Sequence, residues 1–218
     1  MSDQSGAVSQ QQPERTASDF EELRWGGNQT MRSFEAILIE QCAPVLAGIK
    51  MAGLFRYALK PEEKIGWLLG HWNRVFAEKG LRLTSLKQCQ KQKIYLIYVY
   101  RPKQLEARLA QSEIQSFLSE SGYEPSENYI SYLKRLTYRM CLYSDFPHEI
   151  GIFLGYPLGD VKGFIQLGGE ACLCCGTWKV YENVEEAQKR FAQYKKCTDL
   201  YQKLYADGRP LLRMTVAA

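Results

Sequence analysis

Residues 81–101, LRLTSLKQCQKQKIYLIYVYR, contain the clearest secondary-structure signal in the chain. The first ten alternate apolar and polar side chains, and residues 93–101 are dense in the β-branched and aromatic residues typical of strands. Only Lys91 and Gln92 separate the two runs, so we predict a β-hairpin, although its turn lacks the Asn-Gly pair or glycine that hairpins favour. With helical patterns on both sides, the hairpin predicts an α+β fold in which helices cover a small, mainly antiparallel sheet.

The helical patterns have recognisable starts and stops. One helix should open after Ser33 and be interrupted by Pro44, because proline lacks the N–H that a helix interior needs. Pro61 should open another that runs to about Lys79 and stops at Gly80. We also predict helices over 102–110, 112–122 (with a Ser112–Gln115 capping box), 127–142 and 184–206, a strand over 177–182, and either a strand or a helical turn over 51–57.

The first thirty residues differ in composition from the rest. They are rich in Ser, Gln, Gly and acidic side chains and cannot bury enough apolar area to offset the entropy of ordering. We therefore expect a disordered leader over 1–30, a single α+β domain over 31–208 and a C-terminal tail over 209–218. The total of 218 residues is long enough to bury a substantial core.

Charge and cysteine content restrict the class of protein. Residues 1–30 hold five of the 24 acidic and two of the 28 basic residues, so the rest carries a net charge of +7. Such a charge suits either an anionic ligand or an ordinary solvated surface, since no dense Lys/Arg block is present. Seven cysteines, no export signal and no apolar run of membrane-spanning length predict reduced thiols, no membrane span and a cytoplasmic location.

Residues 146–165, FPHEIGIFLGYPLGDVKGFI, have two interpretations. In the first, HEIGIFLG is a buried strand that turns through Gly155-Tyr156-Pro157 into a helix from Leu158. In the second, residues 147–166 form a helix-turn-helix with Gly155 in the turn. The supposed recognition helix then offers only Asp160 and Lys162 before Gln166, a poor set for contacting bases and phosphates. We favour the strand and do not expect nucleic acid as a partner.

His148 and Glu149 are the candidates for acid–base catalysis, because histidine titrates near neutral pH. On a strand the two neighbours would point to opposite faces and could not act as a pair. The competing interpretation is a histidine with a purely structural role.

Two further groups are candidates for binding. Cys172, Cys174 and Cys175 suggest soft-metal or thiol chemistry, although C-x-C-C is not a standard zinc spacing and incidental thiols are the simpler explanation. Arg101 and Lys179 would bring cationic groups to the rim of the sheet, where a phosphate or carboxylate could bind. An edge-strand lysine that blocks aggregation would explain Lys179 equally well. The common nucleotide, dinucleotide, zincin and hydrolase motifs are absent.

Several motifs resemble a known bacterial family. QCAPVLAGIK (41–50), IYLIYVYRP (94–102), FLSESGY (117–123), the 146–165 stretch and GTWKVYENVEEAQKRFAQYKKCT (176–198) follow, in this order, the pattern of domain of unknown function 3793. The resemblance covers residues 31–208 and implies an intracellular, single-domain protein of anaerobic Gram-positive bacteria, encoded near flavodoxin-like and iron-related genes. It implies no established reaction and no particular cofactor.

Three functions are consistent with these observations. The leading hypothesis is a small-molecule or cofactor site at one sheet edge, serving anaerobic redox or iron metabolism. His148 would be the acid/base or ligand, Arg101 the anion clamp and Tyr156 an aromatic wall, with Lys179 and Cys42 alongside. The second is a DNA-binding regulator that uses 147–166, and the third is a non-catalytic adaptor for a flavodoxin-like redox partner.

Overall fold

The predicted hairpin forms the centre of a three-stranded antiparallel sheet. The computed structural model describes residues 33–126, 128–142 and 146–217, so the predicted leader over 1–30 lies outside the described residues. The hairpin consists of β2 (Arg82–Cys89) and β3 (Ile94–Tyr100), and strand β1 (Ala52–Ala58) pairs with it. The order is β1-β3-β2. The sequence predicts either a strand or a helical turn for the β1 segment. The hairpin turn contains no glycine, and Lys93, at φ 51°, adopts the left-handed conformation that glycine favours in such turns.

Helices surround this sheet and confirm the α+β class. Along the chain they are α1 (Phe34–Leu46), α2 (Ile65–Val75), a 3-10 turn (Ala77–Lys79), α3 (Pro102–Leu109), α4 (Ser112–Glu120), α5 (Tyr129–Leu142), α6 (Ile150–Phe153), α7 (Leu158–Gln166), α8 (Val184–Ala206) and α9 (Leu211–Met214). The long helix α8 has the predicted bounds. The strand predicted over 177–182 is shorter, with β5 (Lys179–Val180) paired to β4 (Cys174–Cys175) in a small second sheet.

Strand β3 shows how the sheet is buried on both sides. Leu96, Tyr98 and Tyr100 pack into a core formed with α3 to α7, whereas Ile97 and Val99 pack against α1, α2, α8 and α9. Alternation along the strand therefore sends side chains into two cores. A strand covered on both faces needs apolar residues at every position, which explains the nearly continuous apolar run of IYLIYVY.

Several predicted helix features are wrong. Helix α2 begins at Ile65, four residues after the predicted start at Pro61. Helix α1 begins as expected, with the Ser33 side chain accepting a hydrogen bond from the backbone N–H of Ala36 (3.2 Å), but it continues through Pro44 to Leu46. Pro44 lies in the last turn of the helix. Its missing N–H costs one hydrogen bond, and the helix still continues for two more residues. The predicted capping box at Ser112 does not form, because Ser112 is itself helical and Gln111 precedes the first turn.

The predicted strand HEIGIFLG, residues 148–155, is also wrong: residues Ile150–Phe153 form helix α6. Every residue of this short apolar run is buried, so it has no polar–apolar alternation, and the periodicity cannot separate a buried strand from a buried helix turn. Gly155, at φ 80°, ends the helix while Tyr156 N–H donates to Gly151 C=O (2.9 Å). This is the glycine-terminated Schellman pattern. The helix predicted from Leu158 is present as α7.

The segment predicted to be a tail packs against the domain. Leu211 and Met214 of α9 are buried in the core that contains α1 and α8. The backbone N–H of Val216 donates to the carbonyl of Leu46 at the end of α1 (3.0 Å), and Tyr201 OH donates to the carbonyl of Met214 (2.6 Å). The last described residues therefore close the structure around the C-terminal end of α1.

Candidate functional site

The α6–α7 corner is held to the β4–β5 hairpin by a buried carboxylate. Asp160, in the first turn of α7, accepts hydrogen bonds from Trp178 Nε1 (2.7 Å), Tyr181 N–H (2.7 Å) and Glu182 N–H (3.2 Å). The Trp178 indole stacks on the ring of Tyr156, with centroids 5.0 Å apart and planes inclined by 26°. The hairpin and the corner thus form one rigid unit, and Asp160 and Trp178 were not predicted as parts of a site.

A small pocket opens where these elements meet. We call it the corner pocket; its wall is formed by His148, Tyr156, Asp160, Trp178 and Lys179, together with apolar neighbours. Its cavity volume is about 40 Å³, room for roughly three water molecules. Two residues predicted from the 146–165 stretch, His148 and Tyr156, and one from the predicted strand over 177–182, Lys179, therefore line a single pocket.

The polar side chains of the corner pocket differ in their exposure and in their hydrogen bonds. The exposed His148 ring lies against Phe164, with centroids 4.9 Å apart. Lys179 Nζ donates to the carbonyl of Gly169 (2.7 Å), which leaves its other two N–H groups for a ligand. Tyr156 OH donates to the carbonyl of Thr177 (3.2 Å). The pocket thus offers one imidazole and one ammonium at the edge of an aromatic surface.

A larger groove also has Tyr156 and Lys179 in its wall. We call it the lysine groove; it runs between α1, β1 and α8 and has a cavity volume of about 1250 Å³. Its wall includes Pro44, Lys50, Tyr156, Lys179, Tyr194 and the cysteines at 172, 174 and 175. The corner pocket and the lysine groove share the side chains of Leu154, Tyr156 and Lys179.

Lys50 is the most unusual cation of the lysine groove. Two hydrogen bonds to the carbonyl of Pro44, from the N–H groups of Ile49 and Lys50, hold the chain in a turn after α1. The half-buried ammonium lies 5.4 Å from the Tyr156 ring centroid and 5.7 Å from that of Tyr194. Burial lowers the pKa of Lys50 to about 8, an effect that the neighbouring Cys42 opposes. Sequence reasoning missed Lys50, because its aromatic partners lie more than a hundred residues away.

Arg101 lies apart from the corner pocket. It is 1% exposed, and its guanidinium donates to the carbonyls of Val45 (2.9 Å), Leu46 (3.0 Å) and Val216 (2.9 Å). The last carbonyls of a helix lack partners inside the helix, and Arg101 satisfies those of α1. These contacts indicate a structural role in place of the predicted anion clamp.

Cys42 and Glu149 are also not brought to the pocket. Cys42 is fully buried beneath β1, where a Cβ on Gly53 would stand only 2.7 Å from its Sγ. Burial raises the pKa of Cys42 to about 12, so the thiol stays protonated. Glu149, 4% exposed, accepts hydrogen bonds from Arg139 Nε (2.6 Å) and Tyr123 OH (3.0 Å). The structure therefore does not join Glu149 to the exposed His148 as a catalytic pair.

The cysteine cluster lies at the rim of the lysine groove. Cys172 and Cys175 place their Sγ atoms 3.0 Å apart, while Cys174 packs against the Trp178 cluster. Within residues 33–126, 128–142 and 146–217, no group of three or more His, Cys, Asp or Glu side chains is arranged to hold a metal ion. The described residues therefore do not assemble the metal site considered for Cys172, Cys174 and Cys175.

The comparison with protein families agrees with the resemblance drawn from the motifs. Residues 38–215 match the model of a family described as protein of unknown function (DUF3793), and the chain belongs to this family. No curated protein and no solved structure matches the chain. In the part of the chain that the structure describes, none of the helices combines the length and the apolar character needed to cross a bilayer.

Proposed function

We propose that this chain is a cytoplasmic protein that binds a small planar molecule or cofactor with an anionic group, across the corner pocket and the lysine groove. The observation that carries the proposal is that His148, Tyr156 and Lys179 line one pocket. Ligand sites are typically concave and largely apolar, with a few convergent polar groups. The Tyr156–Trp178 stack supplies the flat apolar surface, and Lys179 supplies a positive charge at its edge.

The electrostatics of Lys50 support an anionic ligand. Desolvation disfavours its charged form, and among the described residues no carboxylate forms a hydrogen bond or ion pair with its ammonium. A carboxylate or phosphate in the lysine groove would compensate for the lost solvation and raise the pKa of Lys50 again. We extend the proposal to anaerobic redox or iron metabolism because of the family resemblance, and we assign His148 the role of acid/base or ligand.

Mass spectrometry of the native full-length protein, purified anaerobically and examined together with its absorption spectrum and metal content, tests this proposal. We expect a co-purified ligand whose occupancy falls at least tenfold in H148A and in K179M. The matched controls are H71A, which removes the only other histidine, and K103M on an exposed position of α3. Urea unfolding of each variant separates ligand loss from unfolding. A wild-type protein without ligand, or equal occupancy in all four variants, contradicts the proposal.

DNA binding is a second candidate, because the short helix α6, the turn at Gly155 and α7 follow one another within residues 147–166. Gly151 packs closely on α7, where a Cβ would stand 2.7 Å from Val161 Cγ2. The surface of α7 is unsuited to reading DNA, however. The carboxylate of Glu182 covers Gly159 near the N-terminus of α7, and Lys162 Nζ lies over the Phe117 ring at 5.9 Å.

Retention on duplex DNA at several salt concentrations measures this second candidate directly. A DNA-binding protein would be held at low salt, released as salt rises, and lose retention in K162E. We expect no salt-dependent retention of either the wild-type protein or the variant. Sequence-independent retention that K162E abolishes would favour the regulator over the small-molecule site.

A further inference from the structure

Of the three clustered cysteines, Cys172 and Cys175 are in contact with each other, whereas Cys174 packs elsewhere. Cys172 and Cys175 have the C-x-x-C spacing, and their Sγ atoms are 3.0 Å apart. Pairing of Cys175 with Lys179 in the β4–β5 ladder, and a 2.8 Å hydrogen bond from Leu173 N–H to Val180 C=O, fix the backbone between them. Closing a bond of about 2.0 Å between the two sulfurs then requires a movement of about 1 Å.

We propose that Cys172 and Cys175 form a dithiol–disulfide couple that reduces disulfide substrates at the rim of the lysine groove. Cys174 takes no part, because it packs against the cluster of Trp178, Val180 and Ala187. Cys175 is exposed and Cys172 is partly exposed, so both can be reached from solution. This inference depends on the cysteine pair alone and does not require the ligand site proposed above.

The reaction proceeds in two exchange steps. The thiolate of one cysteine attacks a sulfur of the substrate disulfide, whose S–S bond breaks as one substrate thiol leaves with a proton. The second cysteine then attacks the protein sulfur of this mixed disulfide, closes the Cys172–Cys175 bond and releases the second substrate thiol. In total, two protein thiols are oxidised to one disulfide, and the substrate receives two electrons and two protons.

The surroundings of the pair support electron donation. Burial, the hydrogen bond that the Cys175 thiol makes with Cys172 and repulsion by Cys172 raise the pKa of Cys175 to about 11, although Lys179 acts in the opposite direction. Strongly oxidising C-x-x-C pairs owe their potential to a stabilised thiolate in the reduced form. Here the thiolate of Cys175 is disfavoured, so the reduced form lacks the stabilisation that makes such pairs strong oxidants.

The test uses oxidised glutathione as the substrate of the reduced full-length chain. Free thiols are trapped with a light alkylating label after an acid quench, and disulfides are then reduced and given a heavy label. Trypsin releases residues 163–179 as one peptide that contains all three cysteines. We expect a heavy label on Cys172 and Cys175, a light label on Cys174, and no glutathione retained at this site.

Single variants distinguish the pair from general thiol reactivity. In C172S and in C175S the second exchange step is blocked, so glutathione should accumulate on the remaining cysteine of the pair. The matched control C174S should behave as the wild type does. Only light labels on the wild-type peptide, heavy label on Cys174, or glutathione retained by the wild type would overturn the couple.

A separate experiment tests whether the Cys172–Cys175 pair gives electrons to glutathione disulfide or takes them from glutathione. The oxidised chain is equilibrated in a buffer that contains ten times more reduced than oxidised glutathione, and the heavy-labelled fraction is measured. We expect most molecules to keep the Cys172–Cys175 disulfide. Its disappearance in this buffer would overturn the assignment of the pair as an electron donor.

Discussion

Buried ionic side chains connect distant segments of this protein. Arg101 binds carbonyls from the end of α1 and from the C-terminus, and Asp160 binds the β5 segment to α7. Each is satisfied by several hydrogen bonds, the condition under which burial of a charge is tolerated. Their function is therefore to position elements, and the corner pocket depends on the hydrogen bonds of Asp160.

Substitution of Arg101 tests this structural role. In R101M the carbonyls of Val45, Leu46 and Val216 lose their donor inside the core, so we expect the free energy of unfolding to fall by about 3 kcal/mol or more. R101K should recover only part of the loss, because one ammonium cannot reproduce the guanidinium fork. Urea unfolding measures both, with the exposed Arg209→Met as control. A change of under about 0.5 kcal/mol in R101M would refute the role.

Lys50 should make stability depend on pH. Its pKa is about 8 in the folded protein and 10.5 for an ordinary lysine, so between these values the unfolded chain holds a proton that the folded chain has released. The contribution of Lys50 to folding stability therefore rises as pH increases through this window. K50M should be more stable than wild type near pH 7, and the difference should shrink towards pH 10. Urea unfolding at several pH values, with K103M as control, checks this; a constant difference contradicts it.

At the scale of the elements, α6 and α7 pack closely against each other. Gly151 lets the two helices touch, since any side chain at this position would meet Val161 and Tyr156. The contact determines where Tyr156 and His148 lie relative to α7. The geometry of the corner pocket thus depends on a residue that has no side chain of its own to contribute.

Two alanine substitutions with opposite expected effects examine this packing. G151A places a methyl group 2.7 Å from Val161 Cγ2, and we expect a loss of about 1–3 kcal/mol from overpacking. G70A, inside α2, meets no atom within 4 Å and should stabilise the protein by about 0.5–1 kcal/mol through helix propensity. Thermal or urea unfolding measures both. If G151A were as stable as wild type, the close contact between α6 and α7 would be wrong.

At the scale of the whole molecule, the C-terminal residues complete one of the two cores. Removing residues 211–218 exposes the surface that Leu211 and Met214 cover and removes the Val216 carbonyl from Arg101. Burial of two such side chains is worth about 1.5–3 kcal/mol each, so we expect a loss of about 4 kcal/mol or more. Removing only residues 217–218 is the control and should change little. A truncated protein with wild-type stability in urea would show that α9 contributes nothing to the core.

Local signals in the sequence were sufficient for much of the fold. The hairpin of β2 and β3 follows from alternation and strand composition, and α8 follows from its apolar periodicity, with Asn183 capping its start through a bond to Glu186 N–H. These signals act between residues only a few positions apart. The corner pocket was partly predictable for the same reason, since His148, Tyr156 and Lys179 stand beside turns or strand ends.

Local sequence signals therefore specified the β2–β3 hairpin, most helices and the α+β class, because alternation, caps and breakers act over one or two turns of chain. Only the tertiary structure decided that Ile150–Phe153 is a helix, since burial on all sides erased the periodicity that separates helix from strand. It also decided that Arg101 is structural and that Lys50 lies between Tyr156 and Tyr194. Such contacts join residues about fifty to 150 positions apart, and packing of the whole chain brings them together.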